Sequence, residues 1–332
     1  MHHLVEHSGR AEASVFPAIG ASERMSLRIL VTGASGFIGS ALTNALANDG
    51  HFVRAASRKP TSLANAPGSE WAELSDIERE VDWAPLLDGV DTVIHLAAIA
   101  HRTQIDSGQY TRANREATAH LVKACAQRGI KRLIFMSSIG AQAGSAADHV
   151  VTEKDEPWPM TAYDRAKLGA EEEVRHSGVP FTILRPVIVY GPGAKANMAM
   201  MMKIASLPVP LPFGAFQNRR SLLSIDNLVQ AVMFCLGNPD TINRTFIVCD
   251  PEPITLADMI GTLREASGRP RNLVPIPPAA VRALVLATGR RGLWDRIGRE
   301  LVASSADLQS VGWSPRVQTK DGLRAMMRAS SR

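Results

Sequence analysis

The sequence predicts an α/β protein that combines a doubly wound parallel sheet with a smaller, mixed C-terminal region. Three observations support this fold class. Short apolar runs recur up to about residue 190, segments with helical periodicity lie between them, and a glycine-rich turn directly follows the first run. Strands that are apolar throughout and alternate with helices are typical of parallel sheets with both faces covered.

The individual elements follow from local patterns. Two segments, GFIGSALTNALANDG (36–50) and NREATAHLVKACAQRG (114–129), carry apolar residues at helical spacing and end on glycine, as helices commonly do. Beyond about residue 190 prolines become frequent, and two further strands are predicted, RRSLLSI (219–225) and TFIVCD (245–250). Five apolar segments are predicted as strands of the main sheet: LRILVTG (27–33), HFVRAAS (51–57), DTVIHLAA (91–98), KRLIFMSS (131–138) and PFTILRP (180–186).

The composition argues against several classes of protein. The net charge is +5 and aromatic residues make up only 5%, which does not suit a nucleic-acid-binding surface and fits a small anionic substrate better. The three cysteines are far apart, so we expect no metal site and no disulfide framework, as in a cytoplasmic protein. No apolar run is long enough to span a bilayer, so we expect no membrane insertion.

The glycine-rich turn VTGASGFIG predicts a dinucleotide-binding site. It places Gly33, Gly36 and Gly39 between the first strand and the first helix. In that context the first glycine permits a tight turn, the second lets the backbone approach a pyrophosphate, and the third lets helix and strand pack closely. The N–H groups at the start of the helix would then bind the phosphates.

The end of the second strand, AASRKP, indicates which dinucleotide binds. NAD-binding proteins of this type commonly carry an acidic residue here, which binds the ribose hydroxyl groups. This chain has Ser57 at that position, followed by Arg58 and Lys59. Two cations without a carboxylate suit a 2′-phosphate, so the segment predicts a preference for NADP(H), with NAD(H) as the other possibility.

The stretch TAYDRAKLGAEEEV holds Tyr163 and Lys167 four residues apart in a segment where Thr161 can begin a helix. Positions i and i+4 share one face of a helix. An ammonium group near a phenol lowers the pKa of the phenol, which can then exchange a proton with a sugar hydroxyl or ketone while a hydride moves. Ser138, at the end of an earlier strand, could position the same oxygen. Alone, the pair would be two polar residues on a solvated helix face.

The chain resembles the extended short-chain dehydrogenases/reductases, in their nucleotide-sugar epimerase/dehydratase group. The resemblance implies a Rossmann domain, NAD(P), and an active site of serine, tyrosine and lysine. It assigns the catalytic serine to Ser138, with Ser137 as the second candidate, and adds a nicotinamide-ribose contact for Lys167. It rests on six motifs in family order between residues 27 and 193: TGASGFIG, VIHLAA, NREAT, MSS, YDRAK and ILRPVIVYGPG.

The glycine turn and the resemblance together predict the cofactor-binding residues. Asn114 corresponds to a family asparagine, and Asp76 with Ile77 corresponds to family contacts with adenine. The whole predicted set is Gly33, Ser35, Gly36, Phe37, Ile38, Gly39, Ser57, Arg58, Asp76, Ile77, Leu96, Ala97, Ala98, Asn114, Tyr163, Lys167 and Pro186.

Two later segments, VYGPGAKANM (189–198) and FGAFQNRRSLLSIDNLVQA (213–231), resemble a subgroup from bacterial surface-polysaccharide (O-antigen) synthesis. The resemblance implies a UDP-sugar substrate whose sugar contacts Ser138 and whose diphosphate binds Asn197 and Arg220, with Arg219 as the alternative. A guanidinium can bind phosphate through two parallel hydrogen bonds. The family also implies a homodimer by analogy. One departure is the missing tyrosine of the family's Val-Tyr-Gly motif near Gln142.

Two oxidoreductase functions fit these residues. The first is reduction of a UDP-4-keto-6-deoxy-N-acetylhexosamine, with Tyr163 as the proton donor. The alternative is a UDP-hexose 4-epimerase, acting on UDP-glucose or UDP-N-acetylglucosamine with tightly bound NAD. The predicted NADP(H) preference favours the reductase, because a reductase exchanges its cofactor at every turnover. A dehydratase would need an acid–base pair where Ile139 and Gly140 stand, and a non-catalytic sensor would not need both Tyr163 and Lys167.

These assignments divide the chain into three predicted parts. Residues 1–24 lack an apolar segment of signal-peptide length and are predicted to be a disordered extension. Residues 25–190 form the NAD(P)-binding Rossmann domain that carries the serine, tyrosine and lysine. Residues 191–332 form mainly a substrate-binding domain, from which single segments can return to the Rossmann sheet.

Overall fold

The computed structural model describes residues 26–60, 68–100, 106–194, 197–287, 289, 294 and 298–330. The predicted extension at residues 1–24 lies outside these ranges. Within them, no helix has both the length and the apolar character that crossing a membrane requires.

The described strands form one large sheet and three small pairs. They are β1 (Arg28–Thr32), β2 (Phe52–Ser57), β3 (Ser69–Glu73), β4 (Thr92–His95), β5 (Arg132–Met136), β6 (Val150–Val151), β7 (Phe181–Pro186), β8 (Ile188–Tyr190), β9 (Arg219–Arg220), β10 (Leu222–Ser224), β11 (Arg244–Val248), β12 (Ile254–Thr255) and β13 (Val302–Ala303).

The large sheet confirms the predicted doubly wound architecture. Its strands are all parallel and follow the order β11-β7-β5-β4-β1-β2-β3. The chain builds outward from β1 to β3, returns to the centre at β4, and then builds the other half through β5, β7 and β11. The winding therefore reverses between β1 and β4, and ligands of such sheets bind at the carboxyl ends of the strands beside that point.

Helices cover both faces of this sheet. A π-helical turn (Thr111–Glu116) precedes the fourth helix, and a 3-10 turn (Pro239–Thr241) follows the eighth. The described α-helices are α1 (Phe37–Asn48), α2 (Ala84–Leu87), α3 (Ser107–Tyr110), α4 (Ala117–Gln127), α5 (Ile139–Ala143), α6 (Ala162–Arg175), α7 (Asn197–Ala205), α8 (Ile225–Gly237), α9 (Leu256–Ala266), α10 (Pro278–Ala287), α11 (Ala306–Ser310) and α12 (Thr319–Ser330).

The alternation of side chains along β1 divides the core into two layers. Ile29 and Val31 pack in the layer that contains α1 and α8, whereas Leu30 packs in the layer that contains α4 and α6. All three side chains are fully buried. A strand buried on both sides must be apolar at every position, which is why this segment reads as a continuous apolar run.

A third cluster forms the core of the C-terminal region. It joins α7, α9 and α12, with Met201, Ile260 and Met326 among its buried members. Methionine side chains adapt to irregular gaps, which suits a core built from short, differently oriented helices.

The structure departs from the predicted elements in three places. The helix predicted at 114–129 begins earlier, because α3 and the π-helical turn lead into α4. The edge strand β3 was not predicted, since SEWAE is only half-buried and has no apolar run. The predicted strand RRSLLSI is divided into β9 and β10, which pair with β12 and β8 respectively.

Candidate active site

The glycine-rich turn lies between β1 and α1, beside the reversal point of the sheet. Gly33 has a φ of +73°, a conformation that side chains other than glycine rarely adopt. A Cβ atom on Gly39 would lie only 2.3 Å from the carbonyl oxygen of Gly33. Glycine at these two positions therefore lets α1 start directly against the turn.

The start of α1 fits the diphosphate of a dinucleotide. Its N-cap, Gly36, makes no side-chain capping bond, and the first turn contains no acidic residue. The first N–H groups of a helix have no intrahelical acceptor and carry partial positive charge. The predicted residues Ser35, Phe37 and Ile38 lie in or beside this turn, so their backbone is placed where a diphosphate would bind.

Thr32, which the sequence analysis missed, ties the end of β1 to the predicted cofactor segment at 96–98. Its hydroxyl oxygen accepts hydrogen bonds from the N–H groups of Leu96 and Ala97, both at 3.2 Å. The next residue, Ala98, is half-buried. The sequence did carry a signal for Thr32, because it is a polar residue at the carboxyl end of an otherwise apolar strand.

His95 lies behind this segment and serves the structure. Its Nδ1 lies 2.7 Å from the Thr32 hydroxyl, and its ring stacks on Phe135 with centroids 5.8 Å apart. Burial, with a smaller effect of the Lys167 charge, lowers the pKa of His95 to about 3. The ring is therefore neutral at physiological pH.

Asn114 lies in the π-helical turn and is almost fully buried. Its amide oxygen accepts from the N–H of Ile99 at 2.8 Å, and its amide nitrogen donates to the carbonyl of Ile99 at 3.0 Å. Both polar ends of the side chain thus hold the loop after β4. The cofactor contact that the resemblance implies for Asn114 stays a prediction.

Tyr163 stands in the first turn of α6. As predicted, Thr161 caps this helix: its hydroxyl accepts from the N–H of Asp164 at 3.1 Å, and the Asp164 carboxylate accepts from the N–H of Thr161 at 2.9 Å. Burial raises the pKa of Tyr163 to about 12, while a side-chain hydrogen bond with Ser138 lowers it. The ring of Tyr110 meets the ring of Tyr163 edge-on, with centroids 5.9 Å apart.

Lys167 lies one turn further along α6 and is buried. Its ammonium donates to the carbonyl oxygen of Met136 at 2.8 Å and lies 4.9 Å from the centroid of the Phe135 ring. Burial lowers the pKa of Lys167 to about 8, and the nearby Glu171 carboxylate opposes this effect. The predicted influence of Lys167 on the pKa of Tyr163 stays a prediction.

The structure distinguishes the two candidate serines. The Ser138 hydroxyl interacts with Tyr163, whereas the Ser137 hydroxyl donates to Oε1 of Glu171 at 2.5 Å. Glu171 also binds Arg185, which in turn contacts Gln142. The side chain of Gln142, which lies near the place of the missing family tyrosine, therefore points into a buried polar network. Glu171 was not among the residues predicted from the sequence, although its position four residues after Lys167 was visible.

At the end of β2, Ser57 is buried and its hydroxyl is fully engaged. It donates to the carbonyl of Lys59 at 2.6 Å and accepts from the indole N–H of Trp71 at 3.2 Å. Arg58 is exposed. The predicted 2′-phosphate contact would therefore come from Arg58, with Ser57 shaping the turn.

Three further predicted cofactor residues lie at the same edge of the sheet. Asp76 is exposed and its carboxylate accepts from the N–H of Glu78 at 3.2 Å, in the turn after β3. Ile77 packs partly against the core, and Pro186 is buried at the end of β7. Their contacts with a cofactor stay predictions.

The predicted diphosphate-binding residues lie on the C-terminal side. Asn197 begins α7, and its side chain is outside the described part of the structure. Arg219 is exposed and forms an ion pair with Glu300 at 3.1 Å. Arg220 is less exposed and donates to the carbonyl oxygens of Arg299 and Ser145, at 3.0 and 3.1 Å.

The glycine turn, the serine–tyrosine–lysine set and the doubly wound sheet together define a dinucleotide-dependent enzyme. The chain belongs to the NAD dependent epimerase/dehydratase family, whose model matches residues 29–249. It is therefore an NAD-dependent enzyme, whereas the resemblance left NAD and NADP open.

Individual relatives agree with this assignment over almost the whole chain. The chain is 31% identical to a UDP-glucose 4-epimerase of Vibrio cholerae over 318 residues, which cover 92% of this chain and 96% of that protein. The structure of MoeE5 in complex with UDP-glucuronic acid and NAD is 25% identical, with a TM-score of 0.73 and coverage of 92% and 99%. The WbmG enzyme of Bordetella bronchiseptica in complex with NAD shares the fold, with a TM-score of 0.74, 21% identity and coverage of 93% and 95%.

Proposed function

We propose that this protein is a UDP-hexose 4-epimerase that retains NAD through its catalytic cycle. Ser138, Tyr163 and Lys167 lie at the carboxyl end of β5 and on α6, where they suit proton exchange with a sugar hydroxyl. The observation that favours epimerisation over reduction is the similarity to a 4-epimerase over almost the whole chain. The relative from V. cholerae is named as a UDP-glucose 4-epimerase, and MoeE5 binds UDP-glucuronic acid and NAD.

Each of the three side chains has a task in this proposal. Bound NAD supplies the hydride acceptor and, in the second half of the reaction, the hydride donor. Tyr163 takes the proton of the 4-hydroxyl group of the sugar, and Ser138 holds the same oxygen in place. Lys167 contributes a positive charge that favours the phenolate form of Tyr163.

Epimerisation also requires Tyr163 to return the proton after the sugar has presented its opposite face. The diphosphate must then stay anchored while the sugar turns. We assign this anchoring to Arg220 and Asn197. Arg220 already lies between the two regions of the molecule, and its guanidinium can exchange carbonyl acceptors for phosphate oxygens.

We take NAD as the physiological cofactor. The predicted preference for NADP(H) rested on Arg58 and Lys59, both exposed, and on the lack of a carboxylate at Ser57. The NAD complexes of MoeE5 and WbmG do not support that preference. Reduction of a UDP-4-keto sugar, our first prediction, becomes the second candidate, favoured only by these residues at the end of β2.

The deciding experiment measures what the purified protein holds and what it does without added cofactor. We expect denaturation to release NAD, and UDP-glucose to convert to UDP-galactose with no dinucleotide supplied. Tyr163→Phe should keep the NAD and lose activity by about 100-fold or more. Empty protein that consumes NADPH in proportion to a UDP-4-keto sugar would establish the reductase instead.

Three further expectations stay predictions. They are a role in surface-polysaccharide synthesis, assembly as a homodimer and a cytoplasmic location.

A further inference from the structure

We infer that Glu171 is a positioning residue, which clamps the reactive face of α6 to the end of β5 and so sets the geometry of Ser138, Tyr163 and Lys167. The inference rests on the proposed catalytic roles of those three residues. Glu171 itself is fully buried and is not expected to contact the substrate.

The contacts between β5 and α6 form a regular pattern. Three consecutive residues at the end of the strand face a single stripe of the helix, whose residues are spaced four apart. The Met136 carbonyl oxygen accepts from Lys167, the Ser137 hydroxyl donates to Glu171, and Ser138 lies close enough to Tyr163 to lower its pKa. Residues at i, i+4 and i+8 lie along one helix face. The contact of Glu171 is the short one, with Ser137 Oγ 2.5 Å from Oε1. Loss of this contact would let the strand end shift relative to the helix.

A buried ion pair fixes Glu171 itself. Arg185, on β7, donates to both carboxylate oxygens, from Nε at 2.8 Å and from Nη2 at 2.6 Å. Arg175 donates to Oε2 at 2.7 Å from the next turn of α6. Bidentate arginine–carboxylate pairs have little freedom to rearrange. The carboxylate is therefore a rigid point between the helix and two strands of the sheet.

The charge of Glu171 has a second effect. Burial lowers the pKa of Lys167 to about 8, and the Glu171 carboxylate raises it. The neighbouring titratable and charged groups are His95 on β4, Arg185 on β7, Tyr163, Asp164 and Arg175 on α6, Tyr110 on α3, and Arg115, whose side chain lies against Gly169. Without the carboxylate, Arg185 would be an uncompensated buried cation, and Lys167 would lose its proton at a lower pH.

The test is Glu171→Gln, which keeps the shape of the side chain and an acceptor for Ser137 but removes the charge. We expect kcat at neutral pH to fall about 10- to 100-fold in the NAD-bound protein. We also expect the ammonium of Lys167, followed by NMR of 15N-labelled lysine and assigned by difference from Lys167→Met, to lose its proton at a lower pH. The second readout needs no sugar, so it separates this inference from the proposed function.

The matched control is Glu172→Gln, which removes the same charge from the adjacent, exposed residue. It should change neither readout. Ser137→Ala breaks the contact with the strand but leaves the ion pair, so kcat should fall while the Lys167 titration stays in place. Folded Glu171→Gln protein with unchanged kcat and titration would overturn the inference. If that variant does not fold, unchanged kcat in Ser137→Ala would overturn it.

Discussion

At the scale of single residues, Lys167 shows how a functional group can work against stability. Its ammonium is buried, and the pKa is lowered to about 8 from an ordinary value of 10.5. Between these two values the unfolded chain binds more protons than the folded chain, so the stability contributed by this group rises with pH. At neutral pH both states are protonated, and the full cost of burying the charge is present.

We therefore predict that Lys167→Met stabilises the protein near neutral pH by about 2 kcal/mol, although it abolishes turnover. The measurement is urea unfolding of both proteins after their dinucleotide has been stripped. The gain should shrink as the pH approaches about 10, because the wild-type lysine then folds uncharged. Lys203→Met, at an exposed helical position, is the control and should change stability by less than about 0.5 kcal/mol. An unstable Lys167→Met protein would show that the ammonium contacts outweigh burial.

At the scale of elements, the junction of β1 and α1 depends on close backbone packing. A Cβ atom on Gly39 would lie 2.3 Å from the Gly33 carbonyl oxygen and 2.8 Å from Ala34 Cα. Both neighbours are backbone atoms, so no side-chain movement can relieve the clash.

We predict that Gly39→Ala pushes α1 away from the turn, weakens NAD binding at least about tenfold and destabilises the protein by about 1–3 kcal/mol. Calorimetric titration with NAD and denaturant unfolding would measure the two effects. Gly237→Ala is the control, because nothing lies within 4 Å of a Cβ added there. It should leave NAD affinity unchanged. Equal NAD affinity in Gly39→Ala would contradict the assignment of this turn to the diphosphate.

At the scale of the whole molecule, residues 298–303 join the sheet region to the C-terminal region. The N–H of Ala147 donates to the carbonyl of Glu300 at 3.0 Å, and the N–H of Leu301 donates to the carbonyl of Arg219 at 3.1 Å. β13 pairs with β6 in the same segment. Arg220 bonds to carbonyl oxygens on both sides of this junction, at Arg299 and Ser145.

We predict that Arg220→Ala weakens UDP binding about tenfold or more, because a charge-assisted hydrogen bond contributes about 1.5–3 kcal/mol. NAD affinity should not change. Arg219→Ala is the comparison. Because Arg219 is exposed and paired with Glu300, its removal should weaken UDP binding by less than about 1 kcal/mol. Titration of each variant with UDP measures the difference. A larger loss of UDP affinity in Arg219→Ala than in Arg220→Ala would instead make Arg219 the residue that binds the diphosphate.

The sequence alone predicts the doubly wound sheet, the glycine-rich turn and the helix face that carries Tyr163 and Lys167. These features are local, since a buried strand, a helix face and a turn each leave their pattern within a few consecutive residues. Thr161 forms the expected cap of α6 for the same reason.

The folded structure was needed to show which groups meet across the chain. It separated Ser138 from Ser137, joined Glu171 to Arg185, and returned β11 to the sheet next to β7. In each of these contacts the two residues are far apart in the sequence, and each of them has many chemically compatible partners elsewhere in the chain. Hydrogen bonds and ion pairs depend on distances of a few ångströms, and no local periodicity records how the chain brings such groups together.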